Sequence, residues 1–201
     1  SGIRNFSNQY KIPFKNSLLN FDQVFLKKNK IILEIGFGMG DTTFEIAKTM
    51  NNMNFLAIEV HSPGVGNLLN KINLGQIENL KIIQHDAIEV ISEMIPKRSL
   101  DGVHIFFPDP WPKKKHHKRR LLKKSFLDLL ESKLSLSGYV HLATDWEPYA
   151  LEIISLVEQN SYYKMTDRNF NERPTSRPLT KYEDRGLRLG HQVWDIIFTL
   201  G

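Results

Sequence analysis

The sequence predicts an α/β fold built on a mostly parallel sheet, with helices on both faces and an antiparallel edge at its C-terminal end. Three observations carry this. The apolar run Lys30 to Gly40 (KIILEIGFGMG) closes in glycines, as a buried strand does when it turns into a helix. Further apolar runs follow, separated by segments with helical spacing. After Tyr162 the pattern changes to residue-by-residue alternation.

Residues 1–29 show no clear periodicity and read as an N-terminal arm to a single domain whose core is 30–201. The first strand leads into a helix over Asp41 to Met50, in which Phe44, Ile46 and Ala47 can face the sheet. NFLAIEV (54–60) is a second strand and Val65 to Leu74 a helix. LKIIQHD (80–86) is a third strand, with the helical AIEVISEMI after it. LDGVHIFF (100–107) and SGYVHLATD (137–145) are the fourth and fifth. Strands alternating with helices imply parallel pairing. YYKMTDR and HQVWDIIFTL suit an antiparallel edge pair. Between them, 169–190 is rich in Arg, Pro and Thr and reads as a long ordered loop, of the length that is usually functional.

A chain of 201 residues, 41% hydrophobic, can bury one full core. No apolar stretch approaches the roughly 18 residues of a membrane span, so no membrane partner is expected. The absence of cysteine removes disulfides, cysteine-based zinc sites and a catalytic thiolate, and fits a cytoplasmic protein. No pattern calls for a second copy, and a monomer is expected rather than a homodimer. Charge is unevenly placed. Lys113 to Arg120 (KKKHHKRR) holds six of the 27 Lys and Arg, and removing those six would take the formal net charge from +5 to −1. A local cationic patch points to a polyanion held against one face. His116 and His117 are adjacent and lack a nearby third ligand, so no metal is expected.

Gly36, Gly38 and Gly40 are spaced GxGxG. A dinucleotide fingerprint needs another glycine where Asp41 stands, and a phosphate-binding P-loop needs Gly-Lys-Ser/Thr. An acid at the helix start repels phosphate, so the loop suits a phosphate-free ligand such as S-adenosylmethionine. Glu59 and Asp86 close the second and third strands, placed for ribose hydroxyls and an adenine amino group, and Glu34 lies beneath the turn. Turn glycines beside helix-capping acids are the plain alternative.

The fourth strand runs into Pro108-Asp109-Pro110-Trp111-Pro112. Prolines on either side of Asp109 stiffen the loop and forbid a helix. One carboxylate among aromatics, at the edge where α/β sheets bind ligands, suits a flat base held beside a cofactor. The basic run follows at once, where cations would neutralise RNA phosphates.

Together EIGFGMG, IEVHSPGVG (58–66), FFPDPWPKKKHHKRR (106–120), ATDWEPYA (143–150) and TKYEDRGLRLGH (180–191) resemble the bacterial tRNA (guanine-N7)-methyltransferase family, TrmB. The match runs from about Lys30 to the C-terminus with no departure at the motif positions. The resemblance implies a Rossmann-like fold that uses S-adenosylmethionine to methylate a guanosine in the variable loop of tRNA. It implies cofactor contacts at Glu34, Glu59, Asp86 and Asp109, beside the glycines Gly36, Gly38 and Gly40. Asp109 is the implied catalytic residue. Implied substrate contacts are Lys113, Asp145, Thr180, Lys181, Tyr182 and Glu183. Lys114, Lys115, His116, His117, Lys118, Arg119, Arg120 and Arg185 are expected to meet RNA. Two other readings use the same residues. An amino-group methyltransferase would carry an Asp/Asn-Pro-Pro-aromatic loop, but Trp111 stands where the second Pro would be. A non-catalytic RNA-binding module would have no need of the acidic series.

Overall fold

The computed structural model describes residues 9–201, except the side chains of Lys181, Tyr182 and Arg185. In chain order the elements are α1 (Phe21–Val24), β1 (Lys30–Ile35), α2 (Asp41–Thr49), β2 (Met53–Ile58), α3 (Ser62–Gly75), β3 (Leu80–Ile83) and α4 (Ala87–Met94). Then come β4 (Leu100–Phe106), a 3-10 turn (Lys114–Arg119), α5 (Lys124–Lys133), β5 (Leu134–Thr144), α6 (Glu147–Glu158), β6 (Tyr163–Met165), α7 (Lys181–Arg188) and β7 (Trp194–Leu200). The strands form one sheet in the order β3-β2-β1-β4-β5-β7-β6. Its first five members are parallel, and β7 runs antiparallel between β5 and β6.

The pleat divides the strands between two cores. Leu33, Ile35, Leu56 and Ile58 point to one face, with Val90, Ile91, Phe126 and Ile153 of the helices there. Ile32, Phe55 and Ala57 point to the other, against Phe44, Ile46, Val65, Leu68 and Ile72. Both faces are covered, which is why these strands read as continuous apolar runs rather than alternating ones. Phe44, Ile46 and Ala47 are buried, as their spacing predicts. Pro63 and Pro148 sit in the first turns of α3 and α6, where a missing N–H costs nothing.

Two segments depart from expectation. The 169–190 stretch contains α7 rather than a continuous loop. Its start is a cap: Thr180 Oγ1 accepts from the Glu183 N–H at 3.0 Å. The arm, aperiodic in sequence, is nonetheless built in from residue 9 onward. Tyr10 is buried, Lys11 bridges to Ile82, and Phe14 stacks on His85 with 3.8 Å between ring centres. Isolated contacts of this kind leave no periodic trace. Residues 1–8 of the arm lie outside the described residues. Among the described residues, no helix is long and apolar enough to cross a membrane and no His/Asp/Glu cluster could hold a metal ion.

Candidate active site

The first strand ends in a turn that only glycine makes cheaply. Gly36, Gly38 and Gly40 have φ of 73°, 57° and 77°. A side-chain carbon on Gly36 would meet nothing within 4 Å, so the backbone there faces open space. A carbon on Gly64, at the start of α3, would fall 1.8 Å from the Gly38 carbonyl oxygen. The turn is thus braced by helix backbone. Glu34 lies below it, only 2% exposed, and its Oε1 accepts from Thr43 Oγ1 at 2.9 Å. Its Oε2 is buried without a hydrogen-bond partner among the described residues. Burial, opposed by the Thr43 bond, pushes the Glu34 carboxyl up to about 7.

The other two acids stand just past the strand ends predicted for them. Glu59, one residue beyond β2, ties the turn together: Oε2 accepts from the Gly38 N–H at 2.8 Å, and Oε1 from the N–H groups of Val60 and His61. Asp86 caps α4 through the Glu89 N–H at 3.1 Å. Capping, the plain alternative in the sequence, is therefore one of its roles. It is nevertheless exposed and lines the same cleft as Glu59 and Gly36. Pro108, Asp109 and Trp111 form the opposite wall of this cleft of about 340 Å³. His85 also lines it, and through Phe14 brings the arm to its rim. Asp109 is exposed on its loop. Phe107 and Trp111 on either side of it take φ of 53° and 43°. Left-handed backbone at bulky residues costs roughly 1–3 kcal/mol each and clusters at functional sites.

The basic run leaves this loop as a 3-10 turn with Lys113 at its cap. Lys113, Lys114, Lys115, Lys118 and Arg119 are exposed, and His116 and His117 are half-buried. Arg119 lies 4.8 Å over the Trp111 ring, and His116 meets that ring edge-on. Arg120 differs from the others. It is 3% exposed, donates to the Pro110 carbonyl at 2.8 Å, pairs with Glu152 and lies over the Tyr149 ring. Expected on RNA, it instead pins the end of the loop to α6.

Asp145 follows β5 and is half-buried. The strand beneath it adjoins the Asp109 loop, since the Phe107 N–H donates to Ala143 at 2.7 Å. Thr180 is half-buried at the start of α7. The side chains expected to act at Lys181, Tyr182 and Arg185 lie outside the described residues. Glu183, expected on substrate, is 2% exposed, with both oxygens on Arg177 at 2.6 and 2.8 Å. Arg177 itself carries no sequence signal, because arginine is rarely fully buried. The Thr180-x-x-Glu183 spacing is a capping-box signature, and it could have revealed the helix.

A doubly covered parallel sheet with a reversed edge, a glycine turn after β1 and acids after β2 and β3 define a Rossmann-like, S-adenosylmethionine-dependent methyltransferase. Solved structures agree on the fold. The chain is similar to a precorrin-6Y C5,15-methyltransferase from Geobacter metallireducens (TM-score 0.58, 14% identity, 86% of this chain and 81% of that one). It is also similar to an rRNA methylase from Streptococcus thermophilus (TM-score 0.57, 10% identity, 87% and 88%). A family model described as "Putative methyltransferase" matches residues 28–196. The tRNA (guanine-N(7)-)-methyltransferase of Nitrosospira multiformis is 49% identical over 190 residues, 94% of this chain and 83% of the relative. That of Methylobacillus flagellatus is 50% identical, over 94% and 80%. The chain belongs to the tRNA (guanine-N7)-methyltransferase family.

Proposed function

We propose that the cleft at the carboxyl edge of β1 to β4 is where this enzyme brings guanine N7 to its methyl donor, with Asp109 as the catalytic residue and the variable loop of tRNA as the region presented. The reaction, methylation of guanine N7 in tRNA with S-adenosylmethionine, follows from family membership. The observation that carries the site is the convergence of Glu59, Asp86 and Asp109 on one cleft above the open backbone of Gly36. A cysteine-free chain acting on tRNA suits the cytoplasm.

The residues fit this cofactor. A buried carboxylate oxygen without a partner, at Glu34, calls for a donor, and an acidic wall suits a cation. Glu34, Glu59, Asp86 and Asp109 would hold it. When bound, S-adenosylmethionine supplies a methyl group on a positively charged sulfur.

Guanine N7 offers a lone pair and carries no proton, so no side chain is needed as a base. The chain's work is to align the ring and to favour the positive charge that develops on it. Asp109 does both, on a loop stiffened by Pro108 and Pro110 and pinned behind by Arg120. Lys113, Asp145 and the stretch from Thr180 to Tyr182 meet the nucleoside. Lys114, Lys115, His116, His117, Lys118 and Arg119 follow the RNA backbone.

The test is methyl transfer from radiolabelled S-adenosylmethionine to unmodified tRNA, with nucleoside analysis. Wild-type enzyme yields 7-methylguanosine. Asp109→Asn is expected to lower kcat at least about 100-fold, as loss of an electrostatic stabiliser does. Its cofactor Kd should rise far less than kcat falls, since Glu34, Glu59 and Asp86 still hold the cofactor. Equal losses in both would remove Asp109 from the chemistry.

A further inference from the structure

Below the substrate side of the cleft lies a buried charge cluster that the chemistry above does not use. Arg177 is fully buried. Besides its two bonds to Glu183, it donates to both oxygens of Asp195 at 2.7 Å. Asp195 Oδ1 also takes the His141 ring nitrogen at 2.6 Å. Burial opposes charge on Arg177 and Asp195 alike. Their mutual bonds, with those to Glu183 and His141, outweigh it, holding the guanidinium above and the Asp195 carboxyl below their ordinary values.

The position of the cluster matters more than its strength. The Arg177 guanidinium lies 5.9 and 5.5 Å from the rings of Phe106 and Phe107, at the root of the Asp109 loop. Asp195 pairs in register with Ala143, two residues before Asp145. Glu183 belongs to the first turn of α7, directly after Thr180 to Tyr182. One side chain thus links the three segments expected to meet the nucleoside, the Asp109 loop and α7 directly and the Asp145 segment through Asp195. We propose that Arg177 is the positioning residue of the substrate site, and that Glu183 serves as its anchor on α7 rather than as a contact to guanine. This rests on the reading that Asp109, Asp145 and the Thr180 segment hold the nucleoside. Thr180 Oγ1 already caps the helix but keeps its O–H free to donate.

A double-mutant cycle in the full-length enzyme tests this. Arg177→Lys replaces the planar fork by a point charge that cannot pair two carboxylates bidentately. Glu183→Gln weakens the same link from the other side. Residues acting as a unit are strongly non-additive. Each single substitution is expected to lower kcat/KM for tRNA about 10-fold or more, and the double to fall within about threefold of the worse single. Cofactor Kd, read by calorimetry, should stay within about twofold, since Arg177 does not line the cofactor cleft. Multiplied losses would mean that Glu183 reaches substrate independently. A parallel loss of cofactor affinity would mean that Arg177 serves the fold at large; either result overturns the proposal. Amide exchange on the wild-type enzyme needs no variant. The Glu183 and Asp184 amides should be protected without tRNA, and exchange at the rate of open coil would also overturn it. If wild-type enzyme leaves tRNA unlabelled, the functional reading fails instead, and amide exchange still judges the anchor.

Discussion

Glu34, beneath the glycine turn, keeps one buried carboxylate oxygen without a hydrogen-bond partner among the described residues. Its folded-state carboxyl is raised from 4.5 to about 7, so the fold prefers it protonated. Between those values the unfolded chain loses its proton while the folded one keeps it. Stability therefore falls as pH rises through this window, by on the order of 3 kcal/mol in all at 1.36 kcal/mol per pH unit. Thermal melts of wild type and Glu34→Gln across pH 4 to 8 should diverge only there, and parallel curves would deny the burial effect. A cationic group brought to Oε2 reverses the preference. Cofactor binding near pH 6 to 7 should then release protons, measurable by calorimetry in buffers of different ionisation enthalpy, and affinity should rise with pH. Binding without proton release would place the cation elsewhere. The carboxylate was legible in the sequence through its place before the glycines. Its orphaned oxygen was not, because that depends on Thr43 bonding the other one.

Among the elements, α3 is tied to the glycine turn by backbone contact at Gly64 and by Asn67, which donates to the Met39 carbonyl at 2.7 Å. Gly64 lies against the Gly38 carbonyl, where an added methyl has no room and the obstacle is backbone. Gly64→Ala is expected to cost about 1–3 kcal/mol, as overpacking does. It should also weaken cofactor binding at least tenfold by shifting the turn that Glu59 holds through Gly38. A variant with wild-type cofactor Kd would show that the turn tolerates the shift. The strands, and the helices from Asp41 to Met94, were readable from periodicity, and the last strands from their alternation. Helix α7 was not, since its Arg and Pro neighbours dominate the composition and its apolar stripe is thin. Its only local signal was the Thr180 cap.

Over the whole molecule, the lysines and arginines of the cationic run face outward except Arg120, the last. Each phosphate contact removed should lower the slope of log Kd for tRNA against log salt concentration by roughly 0.7–0.9. Lys114→Gln and Lys115→Gln are expected to do this while leaving thermal stability unchanged. Arg120→Met should do the reverse, leaving the slope alone and costing about 1–3 kcal/mol through its lost hydrogen bonds. A flattened salt slope in Arg120→Met would put that residue on the RNA after all.

Sequence alone was enough for the strands, the helices as far as Met94, the glycine turn, the acidic series, the Asp109 loop and the sign of the face beside it. All of these follow from local periodicity, backbone restriction and charge density, which a short window records. Which of the charged residues are buried depends on how distant segments pack together. Arg119 and Arg120 are neighbours of one type, yet one covers Trp111 at the surface and the other lies against Tyr149. Arg177 owes its burial to Asp195, 18 residues away, and Asp195 is shared with His141, 54 residues from it. Burying a charge is favourable only when partners converge on it from several segments. That convergence belongs to the packed sheet edge, and no stretch of sequence contains it.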